Sequence, residues 1–295
     1  MPNYTVPNVD PRIAAVKNKI GAATHDELER LEAAFIFARG VELRLGAGPD
    51  GRFDAEHLKA INRHLFQDVF EWAGYTRNER VRLSDETVAT EPIMRKSGGK
   101  DFLTGQRIAP ALRKIESDLR AAKYLTGLSR ADFASRAADL LAALNAIHPF
   151  RDGNGRTQRA FVELLARQAG HRLDFAVISR ERMTRASIAA HDNDDPRPMR
   201  RLFEDASHPA RIAALRQATG ALAANKFDWN DRYVATTEPG HRIAAIMAGI
   251  AGPHFMARTE TDILIGTSTS LPQPIPVRGE AFTFEQRDPW PEDGP

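Results

Sequence analysis

The 295-residue chain contains no cysteine, which removes several kinds of site at once. Without a thiol there is no disulfide, no thiolate zinc site and no cysteine nucleophile. The absence agrees with a reducing compartment, because disulfides persist mainly in oxidising ones. We therefore expect a cytoplasmic protein whose chemistry depends on other side chains.

Long apolar stretches are also missing from the sequence. No segment approaches the roughly 20 consecutive apolar residues that a membrane helix needs. The first residues, Met1 to Arg12, contain three prolines and no apolar core, so they do not resemble a secretory signal peptide. We therefore expect no membrane partner.

No excess of one charge is present either. The chain has 41 Lys and Arg against 39 Asp and Glu, which leaves a net charge of +2. Strong nucleic-acid binding depends on neutralising many phosphates, so this balance argues against a nucleic-acid partner. The Gly-Lys-Ser/Thr string is absent, which excludes a P-loop nucleotide site.

Apolar residues at near-helical spacing predict a mainly α protein over the first two-thirds of the chain. Helices are predicted at 26–45, 54–70, 108–125, 130–148, 154–169, 179–191, 197–204 and 209–224. The third of these is preceded by an insert, residues 77–105, in which the periodicity fails. After residue 224, β-like runs separated by Gly and Pro predict five short strands: 232–236, 243–250, 254–258, 262–266 and 281–285.

This pattern predicts two domains. The first, residues 1–207, is a helical bundle, and the second, 208–295, is a connecting helix followed by a small β-rich barrel. The tail from Arg287 is rich in Pro and Gly, and we expect it to be unstructured.

Residues 148–159 read His-Pro-Phe-Arg-Asp-Gly-Asn-Gly-Arg-Thr-Gln-Arg, and this string carries the chemistry. An apolar helix delivers His148 at its C-terminal end, where Pro149 stops it. Gly153, Asn154 and Gly155 allow a sharp turn where the next helix begins. Backbone N–H groups and the helix dipole then point at one spot, an arrangement that binds phosphate.

Charged residues of the same string complete a nucleotide triphosphate site. Arg156 and Arg159 are three apart in the first turn of the second helix, so they share one face and can hold phosphate oxygens. Asp152 can hold a Mg²⁺ ion that bridges two phosphates. With no nucleophile in the string, the expected reaction is attack by an external hydroxyl, with His148 as the base.

The string also resembles the motif of the Fic family, His-Pro-Phe-x-Asp/Glu-Gly-Asn-Gly-Arg-x-x-Arg, at every specified position. The resemblance implies a Fic helical bundle and AMP transfer from ATP to a Tyr, Thr or Ser hydroxyl of a target protein. It implies that His148 is the general base and that Asp152 binds Mg²⁺. The Gly153-Asn154-Gly155 turn is the implied anion hole, and Arg156 and Arg159 are the implied β- and γ-phosphate ligands.

The irregular insert, residues 77–105, lies where the family has its flap, a β-hairpin that pairs with the target's main chain. Main-chain pairing would align many target sequences and leave selection to side chains. Lys96, Lys100 and Phe102 are our candidates for contacting the target.

Regulation and the C-terminal region also enter through resemblance. Fic proteins are often inhibited by a glutamate of a Ser/Thr-x-x-x-Glu-Gly/Asn helix that pairs with the last arginine of the motif. The chain has no such string, so we expect a separate, antitoxin-like protein to supply the glutamate. The run 229–233 with 263–266 and 271–272 resembles the OB-like barrel of type IV secretion effectors. This adds translocation into a host or recipient cell as an alternative to cytoplasmic residence.

Two alternatives to AMP transfer stay open. The same fold could transfer phosphate or another nucleotide, or remove AMP. The chain could also be a non-catalytic interaction module.

Overall fold

The fold is mainly α-helical with a small β-sheet region towards the C-terminus, as the sequence predicts. The computed structural model describes residues 15–94, 99–287 and 290–291. Within these ranges the helices are α1 His25–Arg44, α2 Ala55–Phe66, α3 Gly105–Ala121, α4 Arg130–Ile147, α5 Asn154–Gln168, α6 Arg180–Asp192, α7 Arg197–Ser207 and α8 Pro209–Ala224. None of the helices in the described ranges has the length and apolar character to span a bilayer.

Most predicted helix boundaries agree with the structure to within a few residues, but α2 ends earlier than predicted. It stops at Phe66, whereas apolar spacing predicts helix through Phe70. The next residues turn instead, and Val69 and Phe70 are buried there. The Phe70 ring stacks on Trp72 with centroids 4.2 Å apart. The prediction was wrong here because Val69 and Phe70 have helical spacing from Leu65 and Phe66, although they are buried in a turn and not in a helix.

The described residues form two compact units. The first comprises residues up to Gly127 together with Leu140–Gly170, and the second comprises Leu128–Asp139 with residues from His171 onward. In the first unit α2 packs against α1, α3 and α5. The buried Asn62 side chain donates to Thr157 Oγ1 at 3.0 Å and accepts from the Gly74 amide at 2.8 Å. Asn62 thereby fixes α2 against α5, whose first two turns carry the predicted phosphate ligands Arg156 and Arg159.

Helix α1 is apolar on more than one side. Leu28, Glu32 and Leu43 are its buried residues. Phe35 and Phe37 are 43% and 68% exposed, respectively. An exposed apolar surface of this kind is typical of a contact with another segment or protein.

The second unit joins α6, α7 and α8 to a five-stranded sheet. Two short strands, β1 Val81–Arg82 and β2 Val88–Ala89, belong to the first unit. The strands of the second unit are β3 Tyr233–Thr236, β4 Arg242–Ala251, β5 His254–Arg258, β6 Asp262–Thr267 and β7 Ala281–Glu285, in spatial order β3-β6-β5-β4-β7. The β3–β6 pair is parallel and the others are antiparallel. A parallel bridge between Pro239 and Gln286 links the two edges beyond β3 and β7. The sheet is therefore a partly open barrel, consistent with the predicted OB-like region.

A buried ion cluster ties this sheet to the helices of the same unit. Asp205 of α7 is fully buried and accepts from Arg182 of α6 at 2.7 Å and from Arg211 of α8 at 2.9 Å. It also accepts from the Thr236 amide and hydroxyl of β3, at 3.2 and 2.6 Å. One carboxylate thus connects three helices and one strand.

The predicted unstructured tail is wrong at Trp290. This residue is 3% exposed, its indole donates to the Thr237 carbonyl at 2.9 Å, and its ring stacks on His254. Composition suggests disorder because Pro and Gly are frequent, but an aromatic residue with a polar partner can still pack at a fixed position. The predicted domain boundary at residue 207 stays a prediction.

Candidate functional site

His148 lies directly after the last residue of α4, and its backbone is left-handed, with φ of 49°. Its amide donates to the Leu144 carbonyl at 3.0 Å, which continues the helical pattern into the motif. The turn that follows is closed by Asn154, which accepts from the Phe150 amide at 2.9 Å and donates to the Phe150 carbonyl at 2.7 Å. A non-glycine residue with positive φ is uncommon and costs free energy, so the surroundings must hold His148 in place.

The glycine turn leads into α5 as the sequence predicts. Gly153 has φ of 76° and precedes α5, and a Cβ atom there would lie 2.2 Å from the Phe66 ring. Both backbone conformation and space therefore require glycine. Gly155 is exposed, and a Cβ there would meet only the end of the Arg159 side chain, at 3.3 Å. The first N–H groups of α5 lack partners within the helix and are oriented to bind an anion.

Arg156 is held by an ion pair that sequence reasoning missed. Its Nη1 donates to Oε1 of Glu32, a buried residue of α1. Its guanidinium lies 4.8 Å from the Phe66 ring centroid, and Nη2 lies 3.6 Å from Oδ1 of Asp152. Burial raises the pKa of Glu32, and attraction by Arg156 only partly offsets this. Glu32 and Arg156 are 124 residues apart, and no local pattern in the sequence indicates their contact.

Arg159 lies one turn further along α5, on the same side as Arg156. Burial lowers its pKa, and attraction by Glu163, one turn later, acts in the opposite direction. Both arginines line a groove of about 370 Å³ between α1 and α5. The predicted pair of phosphate ligands therefore shares one surface.

The insert contains the expected hairpin. Strand β1, Val81–Arg82, pairs antiparallel with β2, Val88–Ala89. The Ser84 amide and hydroxyl donate to the Glu71 carboxylate at 2.8 and 2.9 Å, and Asp85 forms an ion pair with Lys17. These contacts attach the hairpin tip to the helical unit.

Arg77 joins the insert to the motif, and sequence reasoning assigned it no role. Its side chain is completely buried and donates to the carbonyls of His148 at 2.8 Å, Glu91 at 3.1 Å, Pro92 at 2.9 Å and Leu103. Burial lowers its pKa. The sequence shows an arginine at the start of the irregular insert. Nothing in the sequence indicates that this side chain is buried or which carbonyls accept its hydrogen bonds.

The three candidates for contacting the target have different positions. The Phe102 ring stacks on the His148 imidazole, with centroids 3.8 Å apart and an interplanar angle of 15°. Lys100 is exposed, and Lys96 lies outside the described residues. Phe102 therefore contacts the expected base, His148.

Asp152 fits a Mg²⁺ site of the kind that forms with a bound nucleotide. Mg²⁺ is usually held by one or two carboxylates together with substrate phosphates. Asp152 is 39% exposed and lies beside the α5 N-terminus. No group of three or more potential metal-ligating side chains occurs in the described ranges, so any ion here would need phosphate oxygens as further ligands.

Comparisons with known proteins point to one family. The Fic/DOC family model matches residues 52–166. The chain is 36% identical over 281 residues to a protein adenylyltransferase of Bartonella henselae, an alignment covering 94% of this chain and 51% of that protein. The chain thus spans about half the length of this relative.

Two solved structures are similar as well. The type IV secretion system effector protein BepA matches with a TM-score of 0.90 and 34% identity, covering 97% of this chain and 96% of that one. The N-terminal Fic domain of a putative cell filamentation protein from Bartonella quintana, with bound ADP, matches with a TM-score of 0.66 and 44% identity. That match covers 70% of this chain and 95% of the other. The chain belongs to the Fic/DOC family.

Proposed function

We propose that this chain transfers AMP from ATP to a Tyr, Thr or Ser hydroxyl of a target protein. One observation carries the proposal: His148 at the end of α4 and the N-terminus of α5 are joined by a turn that Asn154 closes on Phe150. A base and an anion-binding helix terminus are thereby kept at a fixed separation. Relatives named protein adenylyltransferase and an ADP-bound relative support the same reading.

The residues have complementary roles in the proposed reaction. The target hydroxyl oxygen attacks the α-phosphorus, its proton passes to His148, and the bond to the β-phosphate breaks to release pyrophosphate. Backbone N–H groups of Gly153, Asn154 and Gly155 stabilise the charge that develops. Arg156 and Arg159 hold the β- and γ-phosphates, and Asp152 would hold Mg²⁺, which offsets phosphate charge when bound.

The flap is the proposed receptor for the target. A short hairpin with an open edge allows an extended target segment to add as a further strand. Lys96 and Lys100 stay the proposed side-chain contacts with the target. Phe102 also stacks on His148, so a target segment that contacts its ring would lie close to the proposed base.

Labelled ATP distinguishes the alternatives. The purified chain is incubated with Mg²⁺, cell lysate and ATP labelled at either the α- or the γ-phosphate. The expected result is α-label on protein and no γ-label, with α-labelling lost in His148→Ala. Transfer of γ-label would instead show phosphate transfer. Absence of both labels, with a folded and nucleotide-bound chain, would favour an interaction module.

We further propose a separate inhibitory protein, antitoxin-like in action. The groove between α1 and α5 has Phe37 and Ala33 on one side and Arg159, Arg167 and Arg44 within it. This apolar and cationic groove suits an acidic amphipathic helix, one carboxylate of which would form an ion pair with Arg159. The isolated chain is therefore expected to transfer label without any activating substitution, and a requirement for such a substitution would contradict the proposal.

Translocation into another cell is proposed from the similarity to BepA, which is a type IV secretion effector by name. The test fuses the full-length protein to one fragment of a split luciferase and expresses the other fragment in recipient cells. Light that depends on the secretion system is expected, and its absence would favour cytoplasmic residence.

A further inference from the structure

We infer that Glu32 is a positioning residue that holds the Arg156 guanidinium ready for the polyphosphate of a bound nucleotide. The inference rests on the proposed function, in which Arg156 is a phosphate ligand. It assigns a role in the site to α1, which contributes no residue to the motif.

Burial of Glu32 requires an explanation. The residue is 4% exposed, and its Oε2 atom is buried and accepts no hydrogen bond from the described residues. A buried ion pair is weak evidence for stability, because desolvation offsets much of the attraction and apolar replacements often do as well. The raised pKa of Glu32 reflects that same desolvation. The benefit of the carboxylate is therefore better sought in what it does to Arg156.

Arg156 is restrained on three sides. Glu32 accepts from Nη1, Phe66 lies 4.8 Å from the guanidinium, and Asp152 lies 3.6 Å from Nη2. Guanidinium has five N–H donors in a fixed plane, so the contact with Glu32 leaves others available for a ligand. The side chain is 32% exposed, which leaves a route for phosphate to reach it. A long side chain already fixed in its binding orientation loses less entropy when the ligand arrives.

Arg159 provides an internal contrast. Glu163, the acidic residue whose charge acts on Arg159, belongs to the same helix, so that interaction depends only on α5. The partner of Arg156 comes from α1, so its orientation depends on the packing between helices. Glu32 should therefore affect binding of the β- and γ-phosphates through Arg156, and not binding of the nucleoside.

The test measures dissociation constants of ATP, ADP and AMP by calorimetry for four proteins: the wild type, Glu32→Gln, Arg156→Ala and the double variant. Glu32→Gln is expected to weaken ATP and ADP binding about tenfold, the scale of coupling between contacting residues. AMP binding should change less than about twofold, because AMP has no β- or γ-phosphate for Arg156. The double variant should bind no more weakly than Arg156→Ala alone.

Glu29→Gln is the matched control, since Glu29 is an exposed glutamate one turn earlier in α1, and its three dissociation constants should be unchanged. Tighter ATP binding by Glu32→Gln would overturn the inference, because Glu32 would then compete with phosphate. Equal weakening of all three nucleotides would also overturn it and indicate a purely structural role. A wild type that binds none of them would overturn the proposed function, and the inference with it.

Discussion

Phe102 is the residue whose role the structure changes most. Its ring covers the imidazole of His148, whose backbone is itself in an uncommon conformation. If His148 is the base, as proposed, we expect Phe102→Leu to lower kcat about 10- to 100-fold, because small displacements of a catalytic group have effects of this size. Steady-state kinetics with a purified target would measure kcat and the target KM separately.

Phe102→Tyr is the control, because it keeps the ring and should retain most of kcat. If Phe102 instead contacts the target, Phe102→Leu will raise the target KM and leave kcat unchanged. The same experiment therefore distinguishes a contact of Phe102 with the target, as predicted from the sequence, from support of His148 by the stacked ring.

The sequence predicted which motif residues lie together at the candidate site, because the motif is contiguous, and their roles stay predictions. His148 and Arg159 are only eleven residues apart in the chain. The regular geometry of α5 is therefore enough to predict that its first residues lie beside the turn that follows His148. Arg77 and Glu32 were not assigned roles because their partners in the motif, His148 and Arg156, lie 71 and 124 residues away. Contacts at such separations depend on packing, which residue spacing does not encode.

At the scale of elements, Arg77 connects the hairpin to the motif. Arg77→Lys replaces a planar group that donates to four carbonyls with a single ammonium. We expect a loss of about 2–4 kcal/mol in the free energy of unfolding, since several charged hydrogen bonds are removed while the carbonyls stay buried. Denaturant unfolding gives the free energy, and hydrogen exchange of residues 81–89 should accelerate in the variant.

An exposed arginine of the same hairpin, Arg82, is the control, and Arg82→Lys should change neither measurement. Unchanged exchange in Arg77→Lys would show that the Arg77 side chain does not hold the hairpin.

Asp205 makes the corresponding prediction for the second unit. Asp205→Asn leaves Arg182 and Arg211 buried without their counter-charge, so we expect a loss of about 3–5 kcal/mol. Denaturant unfolding at pH 7 would measure it. Asp139, which pairs with Arg200 at the surface, gives the matched variant Asp139→Asn, with an expected loss below about 1 kcal/mol. Equal losses in the two variants would contradict the role of burial.

The same cluster predicts a pH dependence. Burial alone would raise the pKa of Asp205, but Arg182 and Arg211 outweigh it and lower the pKa below its usual 3.8. A lowered pKa in the folded state gives stability that is present above pH 4 and lost on acidification below it. The wild type should therefore lose more stability than Asp205→Asn between about pH 5 and pH 3. Parallel curves for the two proteins would contradict this assignment.

Elements were predictable where one local signal dominated. Helix α8 and strands β5 and β7 have the predicted bounds, since Pro209 opens the helix and turns flank the strands. The order of the strands and the parallel β3–β6 pair were not predicted, because they depend on which edges meet in space. The packing of Trp290 was missed for the same reason.

At the scale of the whole molecule, single substitutions should affect nucleotide binding and the proposed transfer reaction separately. A ligand at a hundred times its dissociation constant stabilises the folded chain by about 2.7 kcal/mol. Under the proposed function, we expect His148→Ala to keep the increase in Tm that ATP causes, because the proposed base would contact the hydroxyl and not the phosphates. Arg159→Ala should lose most of that increase. Differential scanning fluorimetry with and without ATP gives both values.

Adenosine serves as the control ligand, since it lacks every phosphate and should not distinguish Arg159→Ala from the wild type. A His148→Ala chain that no longer responds to ATP would mean that His148 organises the nucleotide site as well as the reaction.

The attachment of the hairpin tip through Glu71 and Lys17 has a consequence for the choice of target. The receiving strand is already ordered, so nearly all of the entropy lost on pairing falls on the incoming segment. A hydroxyl in a helix would first require that helix to unfold, whereas one in an extended loop would not. Under the proposed function, the modified side chain should therefore be sought in surface loops of the target that already lie close to a β conformation.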